Sequence, residues 1–157
     1  MSSSNPDHGL TRRQMIVSVS AATFAAMALP TASALAGVAE ADAAVQKIIG
    51  GRKVKQGGIK LELPEIAENG ATVPLTVSMD SPMTAADHVQ KMHFFADGNP
   101  NPDLASFNFT PHSGVAKASI RIRLAKTQNI VAVAETSDGS VYVSKAQVKV
   151  TIGGCGG

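Results

Sequence analysis

Residues 119–125 read SIRIRLA. Ile120, Ile122 and Leu124 alternate with Ser119, Arg121 and Arg123, so an extended segment here has one apolar face and one polar face. The same period of two recurs on both sides. IKLEL (59–63) aligns Ile59, Leu61 and Leu63, and TVPLTVSM (72–79) aligns Val73, Leu75, Val77 and Met79. VQKMHFF (89–95), ASFNFT (105–110), QNIVAVAET (128–136) and VYVSKAQVKVTI (141–152) are rich in the aromatic and β-branched residues that strands favour.

The breaks between these runs agree with that reading. Asn69-Gly70, Asp97-Gly98, Ser113-Gly114 and Asp138-Gly139 supply glycines for tight turns at positive φ. Asn99-Pro100-Asn101-Pro102 cannot continue a strand and must be a loop. About seven strands with frequent turns predict an all-β chain, an immunoglobulin-like antiparallel β-sandwich. A small barrel is the alternative. No βαβ alternation is present, so a parallel sheet is not expected. One short helix precedes the strands: VAEADAAVQKII (38–49) spaces Val38, Ala41, Val45, Ile48 and Ile49 helically, and Gly50-Gly51 stop it.

The first 36 residues have a different character. Arg12 and Arg13 precede an uncharged, alanine-rich stretch that ends in small-residue sites, Ala32-Ser33-Ala34 and Ala34-Leu35-Ala36. That order is an export signal, and the arginine pair resembles the twin-arginine type although Met15 stands where phenylalanine is common. Serines, threonines and Pro30 dilute the stretch and argue against a membrane anchor. The expected division is therefore 1–36 signal, 37–152 domain and 153–157 a terminal arm, with the periplasm as destination. Removing 1–36 leaves 12 basic against 11 acidic residues with no run of like charge, a poor match to nucleic acid.

The chain ends VTIGGCGG, and its single cysteine, Cys155, lies among Gly153, Gly154, Gly156 and Gly157. An oxidising compartment favours disulfides, yet the chain has no internal partner for this thiol. Glycine has the widest backbone freedom and no Cβ, so residues 153–157 read as a slim flexible arm. Such an arm lacks the fixed base and oxyanion site that a nucleophilic enzyme needs, so no catalytic residue is expected in this chain. An unperturbed thiol, with a pKa of about 8.5, is mostly protonated near neutrality, so activation is left to a visiting enzyme. The expected role is a covalent attachment site worked on by other active sites. A disulfide-linked dimer through Cys155, or a sulfur-relay enzyme acting alone, stays open on the residues alone.

His88, His93 and His112 are scattered, and no Ser/His/Asp or paired-carboxylate pattern emerges, so neither a metal nor a cofactor is expected. Met79, Met83 and Met92 read as packing residues.

The terminal GGCGG behind such a domain and signal resembles the SoxY sulfur-carrier family. Leu63-Pro64-Glu65-Ile66-Ala67-Glu68-Asn69-Gly70, Ser81-Pro82-Met83-Thr84, Asn99-Pro100, RIRLAKTQ (121–128) and Ser137-Asp138-Gly139 are similar to the family's stretches as well. The resemblance implies that Cys155 carries thiosulfate-derived sulfur as S-thiosulfonate and persulfide. It also implies a heterodimer with a SoxZ-type subunit. The other implied partners are a haem-containing thiosulfate-coupling enzyme, a sulfate-releasing hydrolase and, in some organisms, a sulfane dehydrogenase.

Overall fold

The computed structural model describes residues 32–154. Arg12 and Arg13 at one end, and Cys155, Gly156 and Gly157 at the other, lie outside the described residues. Helix α1 (Ala32–Ile49) begins six residues before the segment whose spacing predicts it. The alanines and Leu35 that precede Val38 are strong helix formers, which accounts for the extension. Ala41, Val45 and Ile49, four apart, form its buried stripe. Gly50 and Gly51 end it at φ 55° and 78°, a conformation that favours glycine.

Nine strands follow among the described residues: β1 (Val54–Gln56), β2 (Ile59–Glu62), β3 (Ile66–Asn69), β4 (Val73–Met79), β5 (Val89–Ala96), β6 (Asp103–Asn108), β7 (Ala116–Ile122), β8 (Gln128–Thr136) and β9 (Val141–Ile152). The larger sheet runs β1-β9-β8-β5-β6 with β3 also on β9, and the smaller runs β2-β4-β7. This is the two-sheet, immunoglobulin-like sandwich that the alternation predicts. Phe94, Leu75, Met92, Ile130, Val77 and Leu124 fill the space between the sheets. The helix covers the other face of the larger sheet over Phe95, Val131, Val133 and Val141.

Two features depart from the sequence expectation. β1 and β3 both run parallel to β9. Strand β9 is twelve residues long, and its edge away from β8 is free to accept these short segments at either end. Only two of the four expected turn glycines, Gly114 and Gly139, sit at positive φ. Gly70 and Gly98 are required for space instead: a Cβ on Gly98 would lie 2.8 Å from Gln128 Cβ. Met83 and Met92 are buried in the core, as packing residues should be.

Candidate functional site: the seat of the C-terminal segment

Strand β9 delivers the chain to its terminus, and three backbone segments meet where it ends. Gly70 N–H donates to Ile152 C=O at 2.7 Å, Leu124 N–H to Gly70 C=O at 2.8 Å, and Gly154 N–H to Leu124 C=O at 2.9 Å. The last bond returns to the chain two residues beyond the first, so the segment 152–154 is clasped by residues 70 and 124. The β-ladder of β3 on β9, which pairs Asn69 with Ile152, leads directly into this clasp.

The clasp works because side chains are missing. A Cβ on Gly70 would lie 2.2 Å from Leu124 O, one on Gly153 2.1 Å from Ala125 O, and one on Gly154 2.8 Å from Ala71 Cα. None of the three glycines is at positive φ. Their shared property is close backbone approach, and Gly154 is buried. Gly153 and Gly154, the first two residues of the arm expected over 153–157, lie against the domain, where they allow contact with Ala125 and Ala71. Their freedom as isolated residues is overridden by that packing and by the Gly154 bond.

The loop that forms the seat, residues 123–127, is itself fixed by buried polar groups. Asn99, 2% exposed, donates from Nδ2 to Arg123 O at 2.9 Å. Its Oδ1 accepts from Ala125 N at 3.0 Å and from Gln128 Nε2 at 2.7 Å. Gln128 Oε1 accepts from Gly98 N at 2.6 Å. A buried amide with its partners in place holds one backbone geometry, because losing any of them strands a polar group in the interior. Asp97 extends the network, accepting from Asn129 N at 2.9 Å and Asn129 Nδ2 at 2.7 Å, with Lys145 Nζ at 3.4 Å. Burial pushes the Asp97 carboxyl up, but the bonds from Asn129 and Lys145 outweigh it and hold the group below its ordinary range. Thr127 ties the loop to β9, its hydroxyl accepting from Val150 N at 2.9 Å.

A second polar chain was not legible in the sequence. His93 Nδ1 lies 2.7 Å from Ser106 Oγ and Nε2 lies 3.1 Å from Glu135 Oε1, while Glu135 Oε2 lies 2.6 Å from Arg52. His93, Ser106 and Glu135 are brought together by the pairing of β5, β6 and β8, and Arg52 reaches them from the connection just after α1. Arg52 also donates to the carbonyls of Ile48 and Ile49, so the chain ties the C-terminus of the helix to the sheet. No Ser/His/Asp pattern in the sequence points to this grouping of Ser106, His93 and Glu135, and its geometry is that of an anchor. His88 lies just before β5 and does not join it. Among the described residues no three His, Cys, Asp or Glu side chains form a potential metal-binding group, and no helix is long and apolar enough to cross a membrane.

Comparison with known proteins places this geometry in a family. Residues 45–155 match the family model described as sulfur oxidation protein SoxY. The sulfur carrier protein SoxY from Chlorobium limicola f thiosulfatophilum is 36% identical, with a TM-score of 0.59 over 71% of this chain and 96% of that one. Superoxide reductases share the fold alone. A superoxide reductase (neelaredoxin) from Ignicoccus hospitalis is 18% identical with a TM-score of 0.57, covering 64% of this chain and 96% of that one. The Nanoarchaeum equitans enzyme is 13% identical with a TM-score of 0.52, covering 61% and 100%. No curated protein sequence matches the chain. With a family match that spans most of its length and a SoxY structure at this level of identity, the chain belongs to the SoxY family of sulfur oxidation proteins.

Proposed function

We propose that this chain is the non-catalytic sulfur-substrate carrier of periplasmic thiosulfate oxidation, with Cys155 as the attachment site. The observation that carries the reading is the seat. Gly154 makes the last backbone bond to the domain among the described residues, and Cys155 is the next residue in the chain. A carrier needs a thiol near a fixed point, with little bulk on either side, so that several enzymes can enclose it.

The chemistry follows from what a thiol can hold. A haem-containing partner takes two electrons while the Cys155 sulfur forms a bond to the outer sulfur of thiosulfate and a proton is released. The product is an S-thiosulfonate. A hydrolase adds water across the bond between that sulfur and the sulfonate, releasing sulfate and a proton and leaving a persulfide on Cys155. Where a sulfane dehydrogenase operates, it removes six electrons and adds three oxygens from water. A second hydrolysis then releases that sulfonate as sulfate and a proton and returns the thiol. The chain itself binds and presents. Ile152, 67% exposed beside the seat, supplies an apolar contact for such visitors. Export through Arg12 and Arg13 brings the carrier to the compartment of its partners, and a SoxZ-type subunit folded onto it in the cytoplasm crosses with it.

Replacing Cys155 with serine tests this. The melting temperature should be unchanged, and thiosulfate-dependent growth should cease. Growth at the parental rate in that variant would remove the thiol from the pathway.

A further inference from the structure

Two strands end their sheets with an open edge, β6 in the larger sheet and β7 in the smaller, and residues of both line one cleft. Leu104 and Phe107 of β6 and Ala118 and Ile120 of β7 pack on the core yet stay half-buried, so the seam between these strands is incompletely covered. A cleft of about 380 Å³ opens at one end of it, with Asp103 and Leu104 on one wall and Ile120, Arg121 and Arg123 on the other.

The two edges differ in chemistry. Phe109 N–H donates to Gln90 C=O at 2.8 Å. Alternation along β6 then turns the backbone groups of Phe107 toward β5 and those of Ser106 and Asn108 toward the open side. Natural free edges are guarded by lysine, proline or bulges; DLASFN contains neither lysine nor proline, and its one bulge, at Leu104 opposite Phe94 and Phe95, leaves 105–108 as a regular open edge. β7, by contrast, carries Lys117 and Arg121.

We propose that the free edge of β6 takes up an extended strand of a partner subunit, its apolar side chains closing the seam over Leu104 and Ile120 and its carboxylates meeting Arg121 and Arg123. The inference rests on the carrier reading with a SoxZ-type partner and names the surface that partner uses. Neither guanidinium has an ion pair among the described residues. The backbone edge supplies affinity and the arginines supply direction, as in other strand-addition interfaces. A second copy of β6 fits less well. Paired antiparallel about Ser106, it would bring Asn108 and Phe109 of the second copy to the arginine end, and no carboxylate.

The test is a calorimetric titration of the full chain with a purified SoxZ-type subunit. Asn108→Pro removes an N–H that faces the open side and breaks no bond to β5. It should weaken binding by about 30-fold or more, the range of a central interface residue. The double variant Arg121→Glu, Arg123→Glu should weaken it at least about tenfold and flatten its salt dependence. If Asn108→Pro fails to fold, the double variant decides. Parental affinity in the folded variants would overturn the proposal, as would absence of binding by the parent chain. Loss of self-association in Asn108→Pro with partner binding intact would assign the edge to a second copy and also overturn it. The carrier reading is judged separately, by whether Cys155 acquires sulfur, so the two can fail independently.

Discussion

Gly154 is bonded through its amide to the carbonyl of Leu124 at 2.9 Å, across 30 residues of sequence. The bond fixes Gly154, the last described residue, against the domain. It exists because Gly70 and Gly153 leave room for carbonyls 124 and 125 to approach.

Alanine at these glycines should therefore act in a graded way. Gly153→Ala meets Ala125 O and puts at risk the single Gly154 bond that follows it, so the expected cost is one net hydrogen bond, about 0.5–1.5 kcal/mol. Gly70→Ala sits inside the chain between two clasping bonds and should cost more, roughly 2–4 kcal/mol. Denaturant unfolding gives both values. Amide exchange at Gly154 should quicken in each variant, and equal stability losses would argue against the clasp.

Asn99→Ala should be as damaging as a core truncation. It leaves Ala125 N, Arg123 O and Gln128 Nε2 without their partner in a buried setting, at a cost of about 2–4 kcal/mol. Urea titration measures this. A loss below about 1 kcal/mol would show that water replaces the amide freely.

Acid should loosen the same end of the molecule. Asp97 has a folded pKa below its unfolded value, so its contribution is present above about pH 3.9 and is lost as pH falls through the folded value. Asp138, in the turn between β8 and β9 at the other end of β8, responds to pH in the same direction, its carboxyl lowered to about 2 by bonds from Thr136 and Ser140. In Asp97→Asn, stability should fall less steeply below about pH 4 than in the parent. An unchanged acid slope would mean that Asp97 gains nothing from Asn129 and Lys145.

Arg52→Ala should free the end of α1 from Glu135. The ion pair is partly exposed, so its share is small. With the lost carbonyl bonds, about 1 kcal/mol is expected. Limited proteolysis near Gly50-Gly51 should quicken, and no change would mean that the buried stripe of Ala41, Val45 and Ile49 holds the helix unaided.

The sandwich was legible wherever side chains carried the signal. SIRIRLA and TVPLTVSM display their buried faces directly, and all seven runs contribute strands. β1 and β3 were not, because VKQ and IAEN pair through the backbone edge of β9 and need no apolar pattern. The alternation of SIRIRLA predicts Leu124 as an inward strand residue. It is fully buried, but it lies past the end of β7, where its backbone serves Gly70 and Gly154. The terminal glycines showed that side chains were missing without showing which carbonyls needed the space. Spatial complementarity between residues 70, 124 and 153 has no local signature.

Intact mass under non-reducing conditions decides whether Cys155 carries sulfur. Protein isolated from cells oxidising thiosulfate should be heavier than the free thiol by sulfur atoms or a thiosulfate-derived group. Fragmentation should place that mass on Cys155, and reductant should remove it. Only free thiol, or only a disulfide-linked dimer that persists throughout turnover, would rule out Cys155 as the sulfur carrier.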